Sequence, residues 1–280
     1  METNEIKEKK DGKRKHRLAV VIGLAILLCG VFAIYQALQP QKEKPRIVLE
    51  PGQTAGERKV VTINGVEFAF RWCPAGWFLM GSSNEKGREP DEEQYYVMLT
   101  KGFWMMETEV TQKQWKAVME RNPSHFKGDE LPVENVDWQQ CQGFCRETGL
   151  HLPTESQWEY ACRAGTKEAY AGNLDDMAWY DEEWDKGSAH PVGTKKPNAW
   201  GLYDMHGNVN EWCNDIYGAY PRRRATDPTG VGWSFAPVDY RVVRGGSWDD
   251  DASFCRSASR SSREEKFGWG DIGFRCVIVP

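Results

Sequence analysis

Two stretches of the sequence carry side chains that could do chemistry, and the first runs from Asp204 to Glu211. Carboxylates and amides alternate there with glycines, whose turns free backbone carbonyl groups. Carboxylate and carbonyl oxygens are the ligands that Ca²⁺ prefers. The stretch therefore fits a calcium site, and it fits equally well a series of turns in which Asp and Asn bond to the backbone.

The second stretch spans residues 249–271 and is dominated by Asp, Ser, Arg, Gly and aromatic residues. It is too polar to be core, and a long polar loop inside a compact domain is usually a functional surface. We expect a ligand to contact this loop. The residues predicted to face the ligand are Trp248, Asp249, Asp250, Asp251, Phe254, Arg256 and Trp269.

Strands must hold this loop at both ends. Val242 and Val243 lead into Gly245-Gly246, where the backbone can approach another group closely because no Cβ intervenes. The apolar run 277–279 closes the chain with the composition of a buried strand.

The preceding chain predicts short strands and a few capped helices. Asn64-Gly65, between two apolar alternating runs, predicts a tight hairpin. Thr111, Asp137 and Thr154 each precede an apolar helical pattern and are predicted N-caps, the last with the capping-box partner Gln157.

The N-terminus predicts a membrane anchor. A basic segment, residues 1–17, precedes an uncharged stretch from Leu18 to Leu38, which is long enough as a helix to cross a hydrocarbon core of about 30 Å. The basic side is expected to stay in the cytoplasm. The predicted organisation is therefore a transmembrane helix over 18–38, a tether over 39–59 and an extracytoplasmic domain over 60–280, in the periplasm or at the cell surface. A cleaved signal peptide is the competing interpretation.

Several function classes lack support in the sequence. The net charge of −5 does not indicate a nucleic-acid surface, so no nucleic-acid partner is expected. The sequence contains no Gly-rich phosphate loop, Ser-His-Asp order or zinc motif. Four histidines beyond the N-terminal segment are scattered without metal-ligand spacing: His125, His151, His190 and His206.

Six ordered motifs, taken together, resemble the formylglycine-generating enzymes, also called sulfatase-modifying factors. The resemblance covers about Trp72 to Val279 and implies a loop-rich α+β fold of the C-type-lectin type. The motifs are Pro74-Ala-Gly-x-Phe-x-Met-Gly81, Glu107-x-Glu-Val-Thr-x-x-Gln-Trp115, Leu152-Pro-Thr-Glu-x-Gln-Trp-Glu-Tyr160, Gly201-Leu-Tyr-x-Met-x-Gly-Asn-Val-x-Glu-Trp212, Arg244-Gly-Gly-Ser-Trp248 and Gly273-Phe-Arg275.

The resemblance also implies metal and disulfide sites. A family calcium site maps onto Asp204, Glu211 and the carbonyl groups of Met205, Gly207 and Val209. Relatives carry a disulfide at positions that Cys162 and Cys276 hold here. A second bridge between Cys213 and Cys255 is a further hypothesis, because each follows an element that borders the proposed site.

The catalytic residues of the family match only in part. The family oxidises a cysteine of a sulfatase with O₂, using Cu(I) held by two cysteines after the Gly-Gly-Ser element. Ser247 matches the active-site serine. In a gap-free alignment from Ser247, Asp250 falls at the first copper position and Cys255 at the second, whereas an alignment from Arg256 leaves Cys255 at neither. Cu(I) prefers soft thiolates, and only one remains.

The sequence therefore favours a non-catalytic module that binds a protein or glycan through the 249–271 loop. The alternative is a copper-dependent oxidase that acts on exported sulfatases. A further alternative comes from a resemblance to the variable proteins of diversity-generating retroelements, which diversify this same loop. Most Asp, Ser and Gly residues of the loop are reachable from Asn codons by adenine mutagenesis, whereas Glu264, Glu265, Lys266 and Trp269 are not.

The anchor makes the first testable prediction. A reporter fused after Pro280 should be active only when it is exported, because the basic residues before Leu18 hold the N-terminus in the cytoplasm. The measurement pairs a phosphatase reporter, active outside, with a cytoplasmic fluorescent reporter. Activity of the cytoplasmic reporter alone would contradict the predicted topology.

Overall fold

The computed structural model describes residues 47–181, 187–221, 223–230 and 240–280. The predicted cytoplasmic segment and membrane helix lie outside these residues. Within the described part of the chain, no helix combines the length and apolar character that a membrane crossing requires.

Eleven short strands form three sheets in the described residues. The first sheet has the order β1 (Arg58–Ile63), β2 (Val66–Cys73), β5 (Phe103–Met106) and β11 (Val277–Ile278). The second has the order β10 (Ile272–Gly273), β6 (Asn210–Ile216), β8 (Tyr240–Arg244) and β9 (Arg260–Glu264). The third has the order β3 (Gly76–Met80), β4 (Tyr95–Leu99) and β7 (Ala225–Thr226).

Four helices of the described residues lie among these sheets: α1 (Gln112–Val118), α2 (Trp138–Thr148), α3 (Glu155–Arg163) and α4 (Leu174–Met177). The three predicted N-caps are confirmed. Thr111, Asp137 and Thr154 each begin a helix, and each forms a reciprocal capping box with a glutamine three residues later. Each box bonds the N–H groups of the N-cap and N3 residues, which have no partner within the helix.

The predicted Asn-Gly hairpin is also confirmed. Strands β1 and β2 pair antiparallel with Ile63 opposite Val66. Asn64 and Gly65 both have positive φ angles, 48° and 81°. A two-residue turn with positive φ at both positions matches the twist of the strands it joins.

The core is built largely from aromatic side chains. The Trp115 ring stacks on Phe144 at 5.6 Å, and the Phe274 ring meets both rings edge to face. In the part of the chain that the structure describes, five tryptophans are almost fully buried: Trp104, Trp115, Trp158, Trp212 and Trp248. Large rigid rings fill space between short strands that offer few aliphatic residues.

The packed domain begins earlier than the sequence predicts. Ile47 and Leu49, inside the predicted tether, already pack against the core cluster around Trp72 and Trp104. The Glu50 carbonyl also accepts a hydrogen bond from the Trp104 indole at 3.1 Å. The apparent lack of periodicity before residue 60 therefore reflects an extended segment lying on the core.

The structure does not place the two cysteines of the implied disulfide, Cys162 and Cys276, beside each other. Cys276 Sγ lies 3.8 Å from Cys145 Sγ, whereas Cys162 Sγ lies 3.6 Å from the Ser257 hydroxyl. Cys162 and Cys276 pack in different clusters of buried side chains. The geometry brings together Cys145 and Cys276 instead, a pair on α2 and beside β11.

The second hypothetical bridge finds no geometric support either. Cys213 packs with the cluster around Trp158, and Cys255 packs with Leu174 and Ala178. All seven cysteines of the described residues are free thiols and are buried.

Refolding in an oxidising glutathione buffer should join Cys145 to Cys276, because their sulfurs are neighbours in the core. The bridge would close a loop of 131 residues in sequence separation and stabilise the fold by about 4–5 kcal/mol if unstrained. Peptide mapping and denaturant titration measure both effects, and Cys145→Ala is the control. A bridge between Cys162 and Cys276 would instead restore the original prediction.

Candidate functional site

The loop of interest leaves β8 through Gly245-Gly246. Both glycines have positive φ angles, 103° and 71°. A Cβ on Gly246 would lie 2.7 Å from Cys255 Sγ and 3.1 Å from the backbone of Cys255. The strand end and the following loop thus touch backbone to backbone, which only glycine permits.

Beyond the glycines, Ser247 and Asp250 form a compact hydrogen-bonded group. One carboxylate oxygen of Asp250, Oδ2, accepts bonds from the Ser247 amide at 3.0 Å and from the Ser247 hydroxyl at 2.8 Å. The same oxygen accepts a bond from Asn210 Nδ2 at 3.0 Å. Three donors on one oxygen fix Asp250 as a structural acceptor at the floor of the loop.

A cleft of about 230 Å³ opens beside this group. Phe254, which is 48% exposed, stands on its wall, and Arg263 lies opposite over the Trp269 ring at 5.9 Å. The other residues of the lining are Asn210, Val243, Arg244, Gly245, Gly246, Asp250, Ser259, Arg260 and Ser261. The volume suits one side chain or one sugar ring.

Buried ion pairs hold the loop from below. Arg256 binds both Glu92 oxygens, at 2.6 and 2.7 Å, and Glu85 at 3.0 Å. Arg260 makes two bonds of 2.8 Å to the two oxygens of Glu155 on α3. Breaking a buried pair of this kind costs about 3–5 kcal/mol, because a charge is left without a partner.

These contacts correct two of the predicted ligand-facing residues. Arg256 is 1% exposed and serves the ion pair with Glu92. Trp248 is also 1% exposed and packs edge to face on Phe126. Both side chains point into the protein and anchor the loop there.

The other predicted ligand-facing residues reach the surface to different degrees. Phe254 and Trp269 are about half exposed, and Asp251 is exposed. Asp249 and Asp250 are partly buried, and Asp249 Oδ1 lies 2.7 Å from the Ser247 hydroxyl oxygen, whose single proton it shares with Asp250. The structure therefore brings Asp250, Phe254 and the Trp269 neighbour Arg263 to the cleft.

Several partly buried acids lie near Asp250 of the cleft lining or behind it. Burial, followed by repulsion from Asp249, raises the pKa of Asp271 to about 6. Burial also raises the pKa of Asp249 and brings the pKa of Glu134 to about 7. The buried arginines of the lining are neutralised by Glu155 and Glu159, so they do not offset this charge.

The predicted copper residues do not fit Cu(I). The Cys255 thiol is fully buried, and burial raises its pKa, so the thiolate that binds copper is disfavoured. Asp250 Oδ2, the other candidate ligand, already accepts three hydrogen bonds and is a hard donor. No catalytic step can be derived through copper from these residues.

His206 contacts two of the cysteine residues, Cys162 and Cys255. Its Nε2 accepts from the Ala171 amide at 3.1 Å, and its Nδ1 donates to the Cys255 carbonyl at 2.8 Å. Burial lowers the pKa of His206 to about 4, so the ring is neutral. Cys162 lies 3.7 Å from the same ring, in a closed structural cluster.

The predicted calcium ligands Glu211, Met205 and Gly207 have partners within the protein. Both oxygens of Glu211 bind Arg275 at 2.7–2.9 Å, and one also accepts from the Trp158 indole at 3.0 Å. The Met205 carbonyl faces the Cys162 thiol at 3.5 Å. The Gly207 turn packs on the Trp179 backbone. Within the described residues, no group of three or more His, Cys, Asp or Glu side chains has a metal-binding arrangement.

Asp204 instead faces a second buried acid, Glu109. The two carboxyl groups are within hydrogen-bonding reach of each other. Their outer oxygens accept bonds from Gly193 and Asn208, at 2.7 and 3.1 Å. Asp204 Oδ1 and Glu109 Oε2 are buried and have no hydrogen-bond donor among the described residues. Burial raises the pKa of both acids, and like charge adds to the effect at Glu109.

Sequence reasoning missed Asn210, Arg263 and Glu109 as members of these sites. Glu109 belongs to one of the six motifs, but the sequence does not show that Asp204 is its neighbour. Asn210 was visible as an amide next to Glu211, but its bond to Asp250 joins residues 40 positions apart.

The described domain matches a known family. The model of the sulfatase-modifying factor enzyme 1-like domain matches residues 67–279. The chain belongs to this family, and its mixed, sheet-rich fold confirms the predicted class.

Individual relatives extend this comparison. The formylglycine-generating enzyme of Streptomyces coelicolor is 36% identical over 52% of this chain and 52% of that enzyme, so the chain spans about half of its length. Chaperone protein LppX of Paenibacillus barcinonensis is 31% identical over 52% of this chain and 69% of that protein.

Two solved structures resemble nearly the whole domain. Treponema denticola variable protein 1 is 29% identical with a TM-score of 0.71, over 80% of this chain and 99% of that one. PvdO from Pseudomonas aeruginosa is 25% identical with a TM-score of 0.69, over 81% and 99%.

The buried acid pair predicts a pH effect on stability. An acid whose pKa is raised by folding stabilises the fold most below its unfolded pKa, about 4, and this contribution is lost as pH rises through the folded pKa. Glu109→Gln should therefore raise the melting temperature above pH 6 and flatten its fall with pH, because the new amide can donate to Asp204 Oδ1.

Asp204→Asn is the matched reciprocal variant, since its amide can donate to Glu109 Oε2. Melting curves from pH 4 to 9, with and without EDTA, are the measurement. If both variants lose stability and EDTA lowers the melting temperature of the unaltered protein, a bound cation holds the two acids together. The prediction from their raised pKa values is then wrong.

Proposed function

We propose that this protein is a non-catalytic binding module that presents the 249–271 loop and its cleft to a ligand on a protein or glycan. The observation that carries the proposal is the bonding of Asp250. At the place where the resemblance puts a copper-binding cysteine, a carboxylate is tied to Ser247 and Asn210. A residue held in that way positions a binding surface and has no role in oxidising a thiol.

The second support is the burial of the remaining thiol. Cys255 is 0% exposed and lies against the Gly246 backbone. A substrate cysteine approaching through the cleft would meet Phe254, Ser259 and Ser261 before any sulfur. The oxidase alternative therefore has little to support it beyond Ser247 and the family fold.

The chemistry of the cleft favours a ligand with donors. Asp250 supplies a carboxylate to the lining, with Asp249 and Asp271 close to it, and the Ser259 and Ser261 hydroxyls can bond to either kind of partner. Phe254 offers an aromatic face. A lysine side chain or a sugar ring bearing several hydroxyls matches this combination in size and polarity.

The proposal includes the membrane anchor. A single span over 18–38 with the domain outside the cytoplasm would display the cleft to extracytoplasmic ligands. The basic segment and the uncharged stretch support this placement.

A display function with a diversified loop is the second candidate. It is favoured by the likeness to Treponema denticola variable protein 1, which this chain covers almost completely. Asp250, Phe254, Ser259 and Ser261 line the cleft and are all residue types reachable by adenine mutagenesis of Asn codons. A template repeat beside the gene would support this candidate, and its absence would remove it.

The absence of oxidase chemistry is directly testable. The purified chain, given Cu(I) and O₂, should not convert a Cys-x-Pro-x-Arg peptide to formylglycine, because one thiolate is missing and the other is buried. Mass spectrometry of the peptide and competition with a Cu(I) chelator are the measurements. Asp250→Cys should gain copper affinity, with Asp251→Cys as the exposed control. Conversion by the unaltered chain would establish the enzyme instead.

Binding is tested by two cleft variants. Phe254→Ala and Arg263→Ala should each weaken binding to positive spots of a glycan and peptide array by about tenfold, because each removes one wall of a small cleft. Lys86→Ala, on an exposed loop outside the cleft lining, is the control and should bind as the unaltered chain does. Signals that survive both cleft variants would assign binding to another surface.

A further inference from the structure

A second surface lies on the third sheet, outside the cleft. Trp77 on β3 is 66% exposed, and Tyr96 and Met98 on β4 are 43% and 41% exposed. Trp77 lies opposite Met98 in the strand register, and the Trp77 and Tyr96 rings are 5.7 Å apart. Single exposed apolar residues are ordinary, but three adjacent large ones form a patch of the kind that mediates contacts.

Arg224 borders this patch, and Arg223 precedes it in the chain. The Arg224 guanidinium lies 5.1 Å from the centre of the Tyr96 ring, and Arg223 beside it is exposed. Trp77, Tyr96, Met98 and Arg224 line one side of a groove of about 450 Å³. We call these four residues and Arg223 the aromatic–arginine surface. Its positive charge contrasts with the net charge of −5 of the whole chain.

Tryptophan, tyrosine and arginine are enriched at protein interfaces and also at the boundary of a lipid bilayer. The length of the connecting chain favours the bilayer. The predicted span ends at Leu38, and core packing begins at Ile47. Residues 39–46, even when fully extended, hold Ile47 within about 30 Å of the span. A domain of this size is roughly 45 Å across, so it stays beside the bilayer.

We propose that the aromatic–arginine surface docks on the anionic phospholipid bilayer that anchors the chain. The proposal rests on the membrane anchor of the proposed function. Trp77 and Tyr96 would sit at the level of the head groups, where amphipathic rings are stabilised, and Arg223 and Arg224 would meet lipid phosphates. Docking would restrict rotation of the domain about its short connection and so fix the direction in which the cleft is presented.

The test uses the full chain reconstituted in vesicles, with Cys29→Ser to remove the thiol of the predicted span. Thr226→Cys, exposed and paired with Met98 in register, carries an environment-sensitive fluorophore. In vesicles containing phosphatidylglycerol, the label should shift to the blue and become several-fold slower to react with dithionite than in phosphatidylcholine vesicles. The same label at Phe267→Cys, an exposed loop position outside the surface, should react equally fast in both lipids.

Charge and aromatic variants decide what produces the protection. Arg224→Glu and Trp77→Ser should each remove it, whereas Lys86→Glu, an equal charge change on another exposed loop, should leave it intact. Equal dithionite rates at positions 226 and 267 in anionic vesicles would overturn the docking proposal while leaving the anchor standing. Protection that rises with the protein-to-lipid ratio would assign the surface to a second copy of the chain and also overturn it. Failure of the chain to float with phosphatidylcholine vesicles would overturn the anchor, and docking with it.

Discussion

The candidate site depends on the buried carboxylates of helix α3. Glu155 binds Arg260 of β9 through both oxygens and lies 3.3 Å from Arg244 of β8. Glu159 binds Arg244 and Arg163 in the core. One helical turn thus ties together the two strands between which the polar loop departs and returns. Since buried ion pairs stabilise little in net terms but are costly to break, their main effect is to fix one geometry.

That geometry determines what the loop can do. Because Arg244 and Arg260 are held in ion pairs, the cleft offers a ligand acceptors, hydroxyl groups and the partly exposed Arg263. Glu211 likewise accepts hydrogen bonds from Arg275 and Trp158, and these bonds hold β6 against the C-terminal segment. Residues that resemble metal ligands in the sequence are therefore largely structural here. The family fold is present, whereas the copper positions that the resemblance implies hold a hydrogen-bonded Asp250 and a buried Cys255. Function has to be argued from such a site and not from the fold.

Local signals in the sequence were sufficient for much of the fold. The Asn64-Gly65 turn and the three capping boxes depend on residues within four positions of one another, so composition reveals them. The site was harder because its contacts join distant residues. The sequence predicts that Arg256 faces the ligand, because its ion-pair partner Glu92 is 164 positions away and cannot be recognised from local patterns. Cys276 lies beside Cys145 for a similar reason, because packing in three dimensions brings them together and the order of the motifs does not show it.

The central claim is that the Gly-Gly-Ser element now ends in a hydrogen-bonded carboxylate and not in a copper site. X-ray absorption at the copper edge, after anaerobic incubation of the full chain with Cu(I) and removal of excess metal, tests this claim most directly. The account predicts no retained copper with a shell of two sulfur ligands. A stoichiometric copper ion bound by two sulfurs would contradict it.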